Sequence, residues 1–342
     1  MKNWKCWDEA WKEEHQKRTS TDITKLCKFG IAPLDDAFVA IAKNDLVVIG
    51  ADAGVGKTEM ALHIARHNIL EGKKVALFCL EGGYEEAISR MKWRDLCDLY
   101  YKNYTHLHID LDFRNWFLNT LSAEDFHHLD DLDNALLNIN KEKYLKNLML
   151  YAGENLDVDI FISSLLDFHK DKSEFLSVAK ASPFELDLII IDHLQYFSLT
   201  KAESEISEIT NILRTVKNIT DNYGVPVILI SHLRKRTRDR GIPDQEDFYG
   251  SSNIPKIASA AITITPCSKK DDLKNNIYPT FFRVAKSRIG VKPNYAFLVN
   301  FYLTTRSYMP KYQIYKIDSI KNSISGKPLE KPEIPSWAKG AV

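Results

Sequence analysis

Three observations predict an α/β fold with a mainly parallel central sheet flanked by helices for this 342-residue chain. Short apolar runs alternate with helical patterns along most of its length. One of those runs passes through a glycine-rich turn directly into a helix. The composition, 44% hydrophobic and 27% charged, supports a sizeable core and excludes a disordered chain. The length suits one large domain with appendages or two modest ones.

Residues 4–18 read as a short amphipathic helix in which Trp4, Trp7 and Trp11 recur at i, i+3 and i+7. It either packs on its own domain or acts as an arm on a neighbouring subunit, since Thr19-Ser20-Thr21-Asp22 then breaks the pattern. From Phe29 the chain turns to strands: Asp45–Gly50, then a helix from Glu59 to about Leu70, then Lys74–Leu80. Leu186–Ile191 is a third buried strand, and a helix of about 203–222 leads to a fourth, Pro226–Ile230. Ala260–Thr265 and Thr280–Ala285 are later β-rich runs. The segment 95–180 is helix-rich and interrupts the alternation as an insertion. The expected layout is an arm over 1–28, a main domain over 29–310, and a loosely held, proline-bearing extension over 311–342.

The 46 basic and 46 acidic side chains cancel, but they are not evenly spread. Residues 91–180 hold 10 basic and 16 acidic groups, net −6, and residues 234–342 hold 20 and 9, net +11. A polyanion is therefore expected at the C-terminal third. The five cysteines are scattered, without a CxxC pair, which speaks against a disulfide framework or a zinc site and fits a reducing cytosol. The charged N-terminus is unlike a signal peptide, and no apolar run approaches 18–20 residues, about the length of a membrane span. A soluble, cytoplasmic protein without membrane contact is the expectation.

The sharpest motif is Ala51-Asp52-Ala53-Gly54-Val55-Gly56-Lys57-Thr58, a phosphate-binding loop with Ala at its first position and Gly50 just before it. Gly54 and Gly56 let backbone N–H groups turn inward around phosphates, and the following helix N-terminus adds partial positive charge. Lys57 can reach the β- and γ-phosphates of ATP, and the Thr58 hydroxyl can ligate Mg²⁺. Such a loop needs an acid on a neighbouring strand. Ile189-Ile190-Ile191 carries Asp192 to a strand's carboxyl end, where ligands bind in open α/β sheets. A carboxylate to orient or deprotonate water is found in Glu81, which follows the strand Lys74–Leu80. Glu85 and Glu86 fall on the next helix and read as a solvated face.

Taken in order, these motifs resemble the motor domain of DnaB-type replicative helicases. Gly30-Ile-Ala-Pro-Leu-Asp35 is similar to the run that precedes that family's phosphate loop, and Cys79-Leu80-Glu81 is similar to its Ser-Leu-Glu. Ile191-Asp192-His193-Leu194-Gln195 resembles Ile-Asp-Tyr-Leu-Gln, and Ser231-His232-Leu233 resembles Ser-Gln-Leu. Ala285-Lys286-Ser287-Arg288-Ile289-Gly290 resembles Ala-Lys-x-Arg-x-Gly. The resemblance spans about 30–310 and implies a RecA-like core that hydrolyses ATP with Mg²⁺. It implies that Gln195 couples the nucleotide to DNA-binding loops and that His232 senses the γ-phosphate. It further implies that Lys286 and Arg288 reach a nucleotide held by the adjacent subunit of a homo-hexamer. The family's large N-terminal helical domain, which recruits primase, has no counterpart in the 28 residues ahead of the resemblance.

Candidate contacts to single-stranded DNA lie in Ser198–Glu203 and in Arg234–Asn253. The second stretch opens with Arg234, Lys235, Arg236, Arg238 and Arg240, five basic residues in seven, suited to neutralising phosphates without reading sequence. Gly250-Ser251-Ser252 follows, a short turn able to hold a phosphate. The expected activity is an ATP-driven, ring-forming motor on single-stranded DNA, with a primase or loader as a further partner. Two rivals stay open: a RecA/RadA-like recombination ATPase that forms filaments, and an ATP-dependent switch with no nucleic-acid substrate.

Overall fold

The computed structural model describes residues 5–52, 54–152, 161, 186–196, 205–234, 241–249, 253–267, 276–288, 294–318, 322–324, 326–331 and 333–342. Trp4, Ala53, the loop 198–203, Lys235, Arg236, Arg238, Arg240, Gly250, Ser251, Ser252 and Gly290 lie outside the described residues.

A ten-stranded sheet organises the molecule, in the order β10-β9-β8-β7-β6-β1-β5-β4-β2-β3. Its parallel half comprises β1 (Leu46–Ala51), β2 (Val75–Cys79), β3 (Leu148–Ala152), β4 (Leu188–Asp192), β5 (Val227–His232) and β6 (Ala260–Pro266). Strands β1, β2 and β4 are buried at every position, as their unbroken Val/Ile/Leu/Phe content requires when helices cover both faces. β7 (Ile277–Ser287), β8 (Tyr295–Tyr302), β9 (Ser307–Asp318) and β10 (Ser323–Ile324) extend the sheet with antiparallel pairings. The main helices are α1 (Trp7–Ser20), α2 (Ala32–Phe38), α3 (Lys57–Leu70), α4 (Tyr84–Leu99), α5 (Phe113–Phe117), α6 (Ala123–Asn147), α7 (Glu205–Tyr223) and α8 (Asn253–Ile257).

Two cores sandwich the sheet. One gathers α2, α3 and one face of the strands around Phe29, Ile64, Leu77, Ile190 and Phe297. The other gathers α7 and the opposite face around Phe78, Ile191, Leu213 and Leu229. Alternate residues of a strand point to opposite faces, so neighbours such as Ile190 and Ile191 serve different cores. In α1 no residue is buried, and Trp7 and Trp11 are exposed with rings 5.5 Å apart.

The structure corrects two expectations. The segment 95–180 is not wholly an insertion: Ser122 caps α6 by accepting from the Asp125 N–H, and α6 runs straight into β3, which pairs with β2. Leu129, Leu132 and Leu136 of α6 bury against Trp93, Leu96 and Tyr100 as a satellite core. The chain after Lys311 is likewise no loose extension. Residues 311–318 complete β9, Leu329 and Ala338 are buried in the main core, and Tyr312 is buried with its hydroxyl on Asp36 Oδ2 at 2.8 Å. The Gly340 N–H donates to the same carboxylate oxygen at 2.8 Å.

Candidate nucleotide site

Strand order assembles the site. β2, β4, β5 and β1 lie side by side and parallel, with Cys79 opposite Asp192 and Ala51 opposite His232. Their carboxyl ends therefore bring Glu81, Asp192, His232 and the 51–58 turn to one sheet edge. Gly54 and Gly56 adopt φ of +74° and +96°, left-handed values that side chains strain to reach, and α3 starts at Lys57. A Cβ at Gly50 would fall 2.6 Å from Leu233 Cδ2 and 2.7 Å from Phe248 Cε1, so glycine lets the strand end pass under these side chains.

A cavity of about 400 Å³ opens there, lined by Gly54, Val55, Gly56, Lys57, Thr58, Glu81 and His232 among others. Lys57, only 6% exposed, donates to the Asp52 carbonyl at 3.2 Å and to His232 Nδ1 at 3.0 Å. Burial lowers its pKa, while Glu81, Asp192 and Asp52 act to keep the ammonium charged. Burial likewise pushes Asp192 up to about 6, against a hydrogen bond from Thr58 and the charges of Lys57 and Arg90. Asp192 Oδ1 is buried without a hydrogen-bond partner, a costly state for a carboxylate unless a cation or donor completes it.

That orphaned oxygen beside Thr58 fits Mg²⁺. Among the described residues no group of three or more His, Cys, Asp or Glu side chains could hold a metal alone. The pattern suits an ion that keeps waters and takes phosphate oxygens as its remaining ligands.

Gln195 and His232 also come together. The Gln195 amide donates to Ser231 Oγ at 3.0 Å, and its Oε1 accepts from the His232 backbone N–H at 3.2 Å. The half-exposed Glu81 lies at the cavity with Oε2 3.3 Å from His193 Nε2. Lys286, near the end of β7, and Arg288, just after it, lie elsewhere, with their side chains against the C-terminal end of α8. Lys286 Nζ donates to the carbonyls of Pro255, Lys256 and Ala258, and Arg288 to those of Lys256 and Ile257. Among the DNA candidates, Arg234 is exposed with its Nε on the Phe248 carbonyl at 3.1 Å.

Three sets of site residues escape sequence reasoning. Tyr278, Phe301, Arg306 and Tyr308 form a cavity wall from β7, β8, β9 and the turn between the last two, and no motif marks them. Glu59, next to Thr58, is buried among Arg90, Arg94 and Arg306, with Arg90 Nη1 at 2.7 Å. His193 was legible only as a departure from the tyrosine of the resembled motif.

A profile of the DnaB-like helicase C-terminal domain matches residues 27–106 and 117–303. A probable replicative DNA helicase of Trieres chinensis is 26% identical over 265 residues, which cover 73% of this chain and 50% of the relative. The replicative DNA helicase DnaB of Helicobacter pylori is 26% identical over 253 residues, 73% of this chain and 45% of the relative. The chain thus spans about half the length of the curated relatives it matches. In structure it is similar to a separately solved ATPase domain, with a TM-score of 0.67 at 20% identity over 90% of this chain and 99% of that one. A DnaB-like replicative helicase solved with attention to its interactions with primase gives 0.64 at 20% identity, over 90% and 67%. Fold, motif order and profile agree: the chain belongs to the DnaB-like helicase C-terminal domain family.

Proposed function

We propose that this chain is an ATP-hydrolysing motor that acts on single-stranded DNA as a replicative helicase. The observation that carries the reading is the convergence of Lys57, Thr58, Glu81 and His232 on one cavity at the sheet edge, with Asp192 buried against Thr58. ATP would lie along the 51–58 turn, its phosphates drawn by the inward N–H groups, the α3 N-terminus and Lys57. Thr58 and Asp192 would hold Mg²⁺, which supplies positive charge against the phosphate oxygens when bound. Glu81 orients a water and takes its proton as the water attacks the γ-phosphorus. The bond to the bridging oxygen breaks, and ADP and phosphate leave. His232 faces the γ-phosphate, and Gln195 passes its position toward the DNA loops. Tyr278, Phe301 and Tyr308 offer aromatic surface for the base.

Lys286 and Arg288 act in trans, completing the site of the adjacent subunit in a homo-hexamer. The basic stretch from Arg234 and the Gly250–Ser252 turn hold the single strand through its phosphates. No helix among the described residues is long and apolar enough to cross a membrane, and we place the motor in the cytoplasm. One solved relative is described with its interactions with primase; a primase or loader is our proposed partner here. Hydrolysis measured with and without single-stranded DNA tests the motor, and electron microscopy with a non-hydrolysable ATP analogue separates ring from filament.

A further inference from the structure

A second cavity, of about 520 Å³, is lined by Arg234, Gln245, Glu246, Pro255, Lys256 and Lys286 and shares no lining residue with the nucleotide cavity. Three cations face one carboxylate there. Its walls are the two roots of the candidate strand-binding segment. On one side Arg234 follows the end of β5, and its backbone N–H donates to the Asp247 carbonyl at 2.7 Å. On the other, Pro255 and Lys256 belong to α8, which starts at Asn253. The cations are not equivalent. Arg234 Nε donates to the Phe248 carbonyl at 3.1 Å, which anchors the guanidinium. Its Nη groups make no hydrogen bond or ion pair among the described residues, and neither does Lys256 Nζ. Lys286 differs: its bonds to the carbonyls of Pro255, Lys256 and Ala258 use all three of its N–H groups, so it offers charge and no donor. Burial and then the Arg288 charge lower the Lys286 pKa, a direction that an arriving anion would oppose.

We infer that this cavity is a second phosphate site, in which Arg234 and Lys256 hold one backbone phosphate of a bound single strand. The inference rests on the reading of the chain as a motor on single-stranded DNA, and it adds Lys256, which no motif marks, to the strand contacts. A concave site lined mostly by one sign of charge focuses its field on such a ligand. The paired Nη donors of an anchored guanidinium suit phosphate oxygens, and the ammonium adds a mobile point charge. Glu246 opposes the anion, but it is exposed, where salt screens its repulsion. A strand is favoured over a free nucleotide on two grounds. The basic run that opens at Arg234 continues along the sequence, offering cations for successive phosphates. None of the described lining residues is aromatic, so the cavity gives a nucleotide base nothing to stack on.

Lys256→Ala tests this, because the side chain is exposed and alanine suits a helix. The measurement is the affinity for a fluorescently labelled oligothymidylate over a range of salt. Losing one phosphate contact should lower the log–log salt slope by roughly 0.7, equivalent to about a fourfold loss of affinity at roughly 0.15 M salt. Hydrolysis without DNA should stay at the wild-type rate. Lys256→Gln, which keeps the stem, should give the same loss, and Lys256→Arg should bind as wild type does. Lys25→Ala serves as the control: this exposed lysine lies beside Pro226, at the amino ends of the parallel strands, and its loss should leave the slope unchanged. A wild-type slope in Lys256→Ala, a loss of affinity with the slope intact, or an equal fall in Lys25→Ala would overturn the site. A fall in DNA-independent hydrolysis with strand binding intact would give the phosphate to a neighbour's nucleotide and overturn it too. The motor reading survives each of these results. Wild-type protein that binds no single strand would overturn both.

Discussion

The Lys57 ammonium donates to His232 Nδ1 across 3.0 Å, joining two residues 175 positions apart in the chain. One opens the helix after β1 and the other ends β5, and only the parallel β1–β5 pairing, with Ala51 opposite His232, brings them together. The lysine proposed to bind phosphates is thus in contact with the side chain proposed to sense the γ-phosphate.

Lys57→Ala and Glu81→Gln should separate binding from chemistry. Removing the ammonium should abolish hydrolysis and weaken ATP binding. The Glu81 amide keeps the shape but cannot accept the water's proton, so ATP should bind while turnover falls about 10²- to 10⁴-fold. Nucleotide affinity measured beside turnover checks both; normal hydrolysis by Glu81→Gln would move the catalytic role to another carboxylate.

Glu59 is expected to be the costliest single loss near the site. Burial alone would raise its pKa, but Arg94, Arg306 and Arg90 outweigh that and hold it below the ordinary 4.5. Arg94 is 1% exposed, so Glu59→Gln leaves a buried guanidinium without its countercharge, at a cost of about 3–5 kcal/mol. Thermal unfolding should show it. The sign with pH follows from the depressed value: the contribution is fully present above about pH 4.5, the ordinary carboxyl range, and is lost as pH falls through the folded pKa. The Gln variant should lack that part of the acid sensitivity.

Arg288→Ala should keep ATP binding in its own 51–58 turn yet lose turnover, since a finger supplied in trans can contribute about 10³- to 10⁵-fold. Mixing it with Lys57→Ala subunits creates some interfaces with both an intact loop and an intact Arg288. Partial return of ATPase is expected. No recovery in demonstrably mixed assemblies, or full activity in a verified monomer, would sink the shared site.

Neutralising Arg234, Lys235, Arg236 and Arg238 together should weaken binding to single strands of any sequence. Every phosphate left unneutralised lowers the log–log salt slope by roughly 0.7. Hydrolysis without DNA should hardly change. A slope equal to wild type would place the strand elsewhere.

Much of the site was legible because its parts are written at strand ends. Gly54 to Thr58, Glu81, Asp192 and His232 each follow an apolar run, and parallel order does the rest. β3 was missed because Leu148–Tyr151 continues from a helix, and four apolar residues look alike in either conformation. The aromatic wall was missed because it is assembled from three antiparallel strands, with no motif to tie Tyr278 to Tyr308. The tail was misjudged because composition reports secondary structure, whereas the burial of Leu329 and Ala338 depends on a groove made by distant elements. His193 stood in plain view beside Asp192, but only the fold places it against both His232 and Glu81.

Steady-state ATP hydrolysis, with and without single-stranded DNA, separates a DNA motor from a nucleotide switch. The expected result is a Mg²⁺-dependent basal rate that rises severalfold with DNA of any sequence. That rise should vanish in Glu81→Gln and shrink when Arg234, Lys235, Arg236 and Arg238 are neutralised. A rate indifferent to DNA at every salt concentration, in protein that binds ATP and hydrolyses it, would contradict a DNA motor and leave a nucleotide switch in its place.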